Sequence, residues 1–140
     1  MNLLNKIKIK IYCQLVSKFS KIDRWGISYA SLSGNGIEIG AMDIPLRVKN
    51  GVSVKYLDRI SKADSAKIFP ELTDSLVEVD IIGNGETLDV VQSESQDFII
   101  GNHFIEHTEN PVATISKHAS RTSTRGKNIY GDTRQEIYVR

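Results

Sequence analysis

The chain reads as an α/β protein: a partial doubly wound sheet whose first four strands are parallel, joined by helices, and truncated before a fifth strand. Three observations lead to that reading. Short apolar runs recur at residues 36–40, 52–58, 76–82 and 97–101, each with a glycine or an acid at or near its end. The segments between them carry helix-cap and breaker signals. After residue 118 the apolar pattern stops. Strand ends that repeatedly bear glycine and acid form the ligand-binding rim of an open α/β sheet.

The elements follow in chain order. Leu4, Ile7, Ile11, Leu15, Phe19 and Ile22 recur every three or four residues, which predicts an amphipathic helix from about 3 to 22. Lys6, Lys10, Lys18 and Lys21 lie largely off that stripe. The alternation of Ile7, Ile9 and Ile11 is also compatible with a short strand. Such a basic helix either packs on its own domain or rests on a membrane surface. Ser31 to Gly36 is a loop of serine, glycine and asparagine, followed by strands at 36–40 and 52–58. A short helix is expected over 61–69, with Ser61 as N-cap and Pro70 as its stop. A strand at 76–82, a Gly83-Asn84-Gly85 turn and a strand at 97–101 come next. A helix is expected to start near Asn102 or Phe104 and run toward His118.

Composition narrows the function classes. A chain of 140 residues with 40% hydrophobic and 25% charged content suits one globular domain. The formal net charge of +1 gives no reason to expect nucleic acid. Cys13 is the only cysteine, so no intrachain disulfide forms and a reducing, cytoplasmic location is expected. No apolar run approaches the roughly 20 residues of a membrane span. Lysines interrupt the N-terminal apolar residues, which argues against a secretory signal.

The four strand ends resemble the N-terminal portion of class I S-adenosylmethionine-dependent methyltransferases, and most of all the type 11-like bacterial branch. The residues that carry the resemblance are Gly36-Ile37-Glu38-Ile39-Gly40-Ala41, Val54-Lys55-Tyr56-Leu57-Asp58-Arg59, Val77-Glu78-Val79-Asp80 with Gly85-Glu86-Thr87-Leu88, and Ser95 through His107. The likeness covers about 34–117 and implies a Rossmann-like sheet, S-adenosylmethionine as cofactor and methyl transfer to an unidentified acceptor. Residues 1–33 then form an N-terminal helix and linker, 34–117 a partial methyltransferase domain and 118–140 a basic tail outside the family pattern. Neither the acceptor nor the oligomeric state is legible.

The resemblance also assigns roles. Glu38 would help hold the cofactor's amino-acid tail, with Gly40 and Ala41 forming the first-motif turn. Gly40 would let the backbone approach without a Cβ clash. Asp58 would accept hydrogen bonds from both ribose hydroxyls, and Asp80 and Asn84 compete to receive the adenine amino group. Asn102 would face the cofactor's methyl end or the acceptor, as would His103, a candidate base. Taken singly, Gly40 also reads as a strand-ending glycine, and Asp58 and Asp80 as turn residues. The first motif has Gly40-Ala41-Met42 where many relatives carry Gly-x-Gly, and Asn84 stands where an acid is common.

His103-Phe104-Ile105-Glu106-His107 also fits H-x-x-E-H, a zinc hydrolase motif. On a helix, His103 and His107 would share one face and could share a metal. A third ligand would have to come from Asp132 or Glu136, so pocket lining is the favoured reading and no metal is assigned.

From Lys117 to Arg140, six Lys or Arg face two acids, whereas the first 116 residues hold 12 bases and 15 acids. Ala119 to Gly126 is polar and lacks a helical stripe. Codons permitted for this stretch can be written so that a frame shifted by one nucleotide encodes His-Leu-Glu-Leu-Leu-Pro-Gly-Gly-Lys-Ile-Tyr-Met-Ala-Ile-Pro-Asp-Lys-Arg. That peptide supplies the family's helix end, turn and fifth strand. Residues 119–140 are therefore expected to be a frameshifted tail on a truncated product, with an unpaired sheet edge and little turnover. A natural disordered basic tail is the alternative. Coding DNA incompatible with the second frame would dismiss the expectation.

Overall fold

A computed structural model describes residues 24–131 and 137–139. The helix expected over 3–22 lies outside the described residues. The elements are α1 (Arg24–Ser31), β1 (Asn35–Ile39), β2 (Ser53–Asp58), α2 (Lys62–Ile68), β3 (Ile81–Ile82), β4 (Gln96–Asn102), α3 (Pro111–Arg121), β5 (Thr122–Gly131) and β6 (Ile137–Val139). Short 3₁₀ turns occupy Pro70–Leu72 and Ile105–His107. The strands form one sheet of order β3-β2-β1-β4-β5-β6, parallel throughout except for β6. The Rossmann-like α/β class expected from the sequence is the one observed. No helix among the described residues is long and apolar enough to cross a membrane.

β1 is central, with β2 and β4 bonded on either side. Gly36 permits that proximity, since a Cβ there would sit 2.4 Å from the Phe98 ring. Side chains alternate across the sheet. Ile37, Ile39, Leu57 and Ile99 pack with Leu88 and Val91 on one face. Phe98, Ile100 and Ile129 pack with Leu32 and Leu46 on the other. Burying each such side chain is worth about 1.5–3 kcal/mol, so both faces anchor the three strands whose ends build the cleft.

Two boundaries differ markedly from expectation. The strand expected at 76–82 shrinks to Ile81–Ile82, because Leu76 N still bonds Leu72 O and the chain reaches the β2 edge late. Isolated bonds, Val77 N to Met42 O and Asp80 N to Tyr56 O, replace a ladder there. The helix expected from Asn102 or Phe104 begins at Pro111 instead. His103 has φ 51, which an α-helix cannot accommodate. Asn110 then caps Ala113 N at 3.0 Å, and Pro111 supplies a preset first turn.

The largest correction concerns the tail. α3 runs through residue 118 to Arg121, and Thr122–Gly131 forms a fifth strand parallel to β4. The sheet therefore does not stop after its fourth strand, and β4 has no bare edge. Polar residues are accommodated inside β5 because they satisfy one another: Thr122 Oγ1 lies 2.7 Å from buried Asn128 Oδ1. Ile129 and Tyr130 supply the buried apolar part.

Candidate active site

The C-terminal ends of β1, β2 and β4 open onto a cleft with two lobes that meet at Gly40 and Met42. The first lobe, of about 270 Å³, lies between the β1 and β2 ends and the Gly83–Glu86 segment, with Phe104 and His107 closing it. The second, of about 210 Å³, is walled by Glu38, residues 40–44, Asn102 and His103.

Gly40 follows directly on β1. Its φ of 63 lies in the left-handed region, and a Cβ built there meets nothing within 4 Å among the described residues. The residue is thus required by conformation, and it leaves open backbone facing the cleft. Its N–H donates to Leu57 O at 3.0 Å, which fixes the turn against β2. Ala41 lines the second lobe. Glu38 is 1% exposed, and both of its carboxylate oxygens accept the Leu46 N–H, at 3.1 and 3.0 Å. It therefore braces the 41–46 loop from below. Burial raises the Tyr56 hydroxyl pKa, helped by the Glu38 and Asp80 carboxylates.

Asp58 ends β2 at the floor of the first lobe. Its Oδ1 accepts the Arg59 N–H at 2.6 Å, and its second oxygen accepts no hydrogen bond among the described residues. Above it, Arg59 Nη2 meets Glu86 Oε1 at 3.3 Å, while Glu86 Oε2 accepts from Glu109 N. The Arg59 end of that ion pair is solvent-exposed, so the pair adds at most about 1 kcal/mol.

Asn102 ends β4 beside the second lobe. Both its Oδ1 and its Nδ2 are buried and find no hydrogen-bond partner among the described residues. An unsatisfied buried amide costs about 1–3 kcal/mol, so this position calls for a group that both donates and accepts. His103 follows, exposed at the rim, with Nδ1 3.4 Å from Glu106 Oε1.

Asp80 lines neither lobe, whereas Asn84 lies between the lining residues Gly83 and Gly85 of the first. Asp80 Oδ2 is occupied by Tyr56 N at 2.8 Å, and Asn84 Oδ1 accepts from Glu86 N at 2.8 Å. The H-x-x-E-H spacing is not realised as a helix, because His103 has positive φ and residues 105–107 form a single 3₁₀ turn. Among the described residues no three metal-ligating side chains converge.

Several lining residues carried no sequence assignment. Met42, Glu86 and Phe104 lie inside or beside the quoted motifs, but side-chain type alone did not place them. His118 had no signal at all. It is fully buried on α3, with Nε2 2.7 Å from Gly85 O and Nδ1 3.0 Å from the Tyr130 hydroxyl. Burial lowers its pKa, a trend the Gly85 carbonyl partly offsets.

No protein-family model matches the sequence, and no curated protein matches it either. Solved structures do match. An S-adenosylmethionine-dependent methyltransferase from Thermotoga maritima superposes with TM-score 0.53 at 21% identity, covering 89% of this chain and 57% of that protein. An arsenic(III) S-adenosylmethionine methyltransferase from Chlamydomonas reinhardtii gives TM-score 0.50 at 21% identity, over 70% of this chain and 38% of the other. A methyltransferase of the same cofactor dependence from Aquifex aeolicus gives 0.50 at 12% identity, over 70% and 55%. The chain thus spans 38 to 57% of the length of these structures and has their fold.

Proposed function

We propose that this chain forms the cofactor-binding part of an S-adenosylmethionine-dependent methyltransferase. The observation that carries the reading is the meeting of open Gly40 backbone, Asp58 and the unpartnered Asn102 amide along one cleft of a methyltransferase fold. These groups fit the cofactor's chemistry. Asp58 offers a carboxylate oxygen to ribose hydroxyls, each bond worth about 1.5–3 kcal/mol because the acceptor is charged. Gly40 and Ala41 let the ligand lie against the backbone, and Glu38 keeps the neighbouring loop in place. Asn102 would pair with the amino-acid tail or the acceptor. Asn84 Oδ1 keeps one lone pair for an adenine amino group. Asp80 drops out of this assignment, since it lines neither lobe.

When bound, the cofactor supplies an electrophilic methyl group for in-line displacement. The chain's contribution is positioning and exclusion of water by the lobe walls. His103 would take a proton from the acceptor on its second ring nitrogen, with Nδ1 turned toward Glu106. Its exposure favours a second reading, cofactor binding without turnover. The methyl acceptor is unidentified. The lone cysteine supports a reducing, cytoplasmic setting.

Calorimetry with S-adenosylhomocysteine tests the proposal. Saturable binding that is lost in Asp58→Ala is expected, and a folded sample that takes up no ligand overturns it. Transfer of a labelled methyl from the cofactor then separates the enzyme from the binding-only reading.

A further inference from the structure

Three parts of the chain converge on the His118 ring. Its edge nitrogens reach Gly85 O and the Tyr130 hydroxyl, at 2.7 and 3.0 Å. Phe104 and Tyr130 stack against it, with centroids at 6.0 and 5.8 Å and planes 22° apart in each case. Hydrogen-bond chemistry sets the tautomer. A carbonyl oxygen only accepts, so Nε2 carries the proton, and Nδ1 accepts from the Tyr130 O–H.

Two of those contacts, Gly85 and Phe104, are also walls of the first lobe. Gly85 has no room toward the cleft floor: a Cβ there would stand 2.5 Å from Ile39 Cγ2 and 2.8 Å from Phe104 Cζ. The segment is thus packed from one side and tethered from the other. Its tether comes from a residue 33 positions away.

We infer that His118 is a positioning residue for the first lobe, its Nε2–H holding the Gly85 carbonyl so that the Gly83–Glu86 segment presents a fixed backbone edge to a planar heteroaromatic ring in the lobe. This rests on the proposed cofactor reading, because the ring in question is that cofactor's base. Nothing in the inference requires His118 to touch the ligand or the reacting atoms.

The test compares wild type with His118→Leu and His118→Gln, measuring S-adenosylhomocysteine affinity and melting temperature on the same samples. Glutamine places an amide donor near the Nε2 position, whereas leucine removes the donor and keeps apolar bulk. Affinity is expected to fall at least tenfold in H118L and to recover to within about threefold of wild type in H118Q, whatever each does to the melting temperature. Equal affinity in H118L and wild type overturns the inference, as does equal loss in both variants, the mark of a merely structural role. If H118L does not fold, nitrogen-15 spectra of the wild-type imidazole decide. A protonated Nε2 whose resonance moves on saturation with ligand is expected, and the opposite tautomer or an indifferent resonance overturns it. Wild type that binds no ligand removes the cofactor reading itself, an outcome distinct from the others.

Discussion

Glu38 on β1 holds Leu46 eight residues later, both carboxylate oxygens accepting one backbone N–H at 3.1 and 3.0 Å in a fully buried setting. The bond closes the loop that walls the second lobe. Removing it should leave an unsatisfied buried donor. Glu38→Ala is expected to destabilise the fold by about 1–3 kcal/mol. Urea unfolding measures this, and an unchanged midpoint contradicts it.

Asp58 presents the opposite case. The only hydrogen bond of its side chain among the described residues is the one Oδ1 accepts from Arg59 N, so loss of the carboxylate should hardly affect the fold. On the proposed reading two ribose bonds are at stake, so Asp58→Ala is expected to weaken S-adenosylhomocysteine binding by at least a hundredfold, with little change in melting temperature. Parallel losses in affinity and stability would argue for a structural aspartate.

Gly40→Ala separates conformation from access. A left-handed alanine costs about 1–2 kcal/mol, and among the described residues no atom lies within 4 Å of the added methyl. Stability should fall by that amount, measured by denaturant. Ligand affinity should fall further, because the methyl occupies cleft space. Affinity that survives intact would place the ligand elsewhere.

His118 predicts an acid limb. Burial lowers its pKa below the ordinary 6.5. The unfolded chain therefore binds the proton more readily, and stability rises with pH through that window. The contribution is full above about pH 6.5 and declines as the pH falls toward the folded-state value. Urea unfolding from pH 8 to 5 should show this decline in wild type and a flatter profile in His118→Gln. Superimposable profiles would assign the acid limb to carboxylates.

Asn110 tests the displaced helix start. Asn110→Ala removes the acceptor for Ala113 N at 3.0 Å and should cost about 1 kcal/mol. An identical change at Glu106, inside the expected but unformed helix, should cost almost nothing. The comparison reads directly in melting temperatures.

The amino-acid sequence by itself determined β1, β2 and β4, because each is an apolar run bounded by glycine or acid and each needs burial on two faces. It determined α2 through the Ser61 cap, whose side chain accepts from Asp64 N. Ser61 and Asp58 bond near neighbours and Gly40 is set by its own left-handed backbone, so local chemistry sufficed to find them. Tertiary structure alone decided the rest. Thr122–Gly131 has no strand-like apolar alternation at its start. It becomes β5 because β4 offers unpaired backbone groups and Asn128 finds a buried partner. Asp80 left the proposed site because its bond to Tyr56 N holds it at the sheet edge, outside both lobes. His118 gained its place because α3 sets it beneath a loop 33 residues upstream. Periodicity registers only which side of its own element a residue faces. Which group waits on that side depends on how the elements pack.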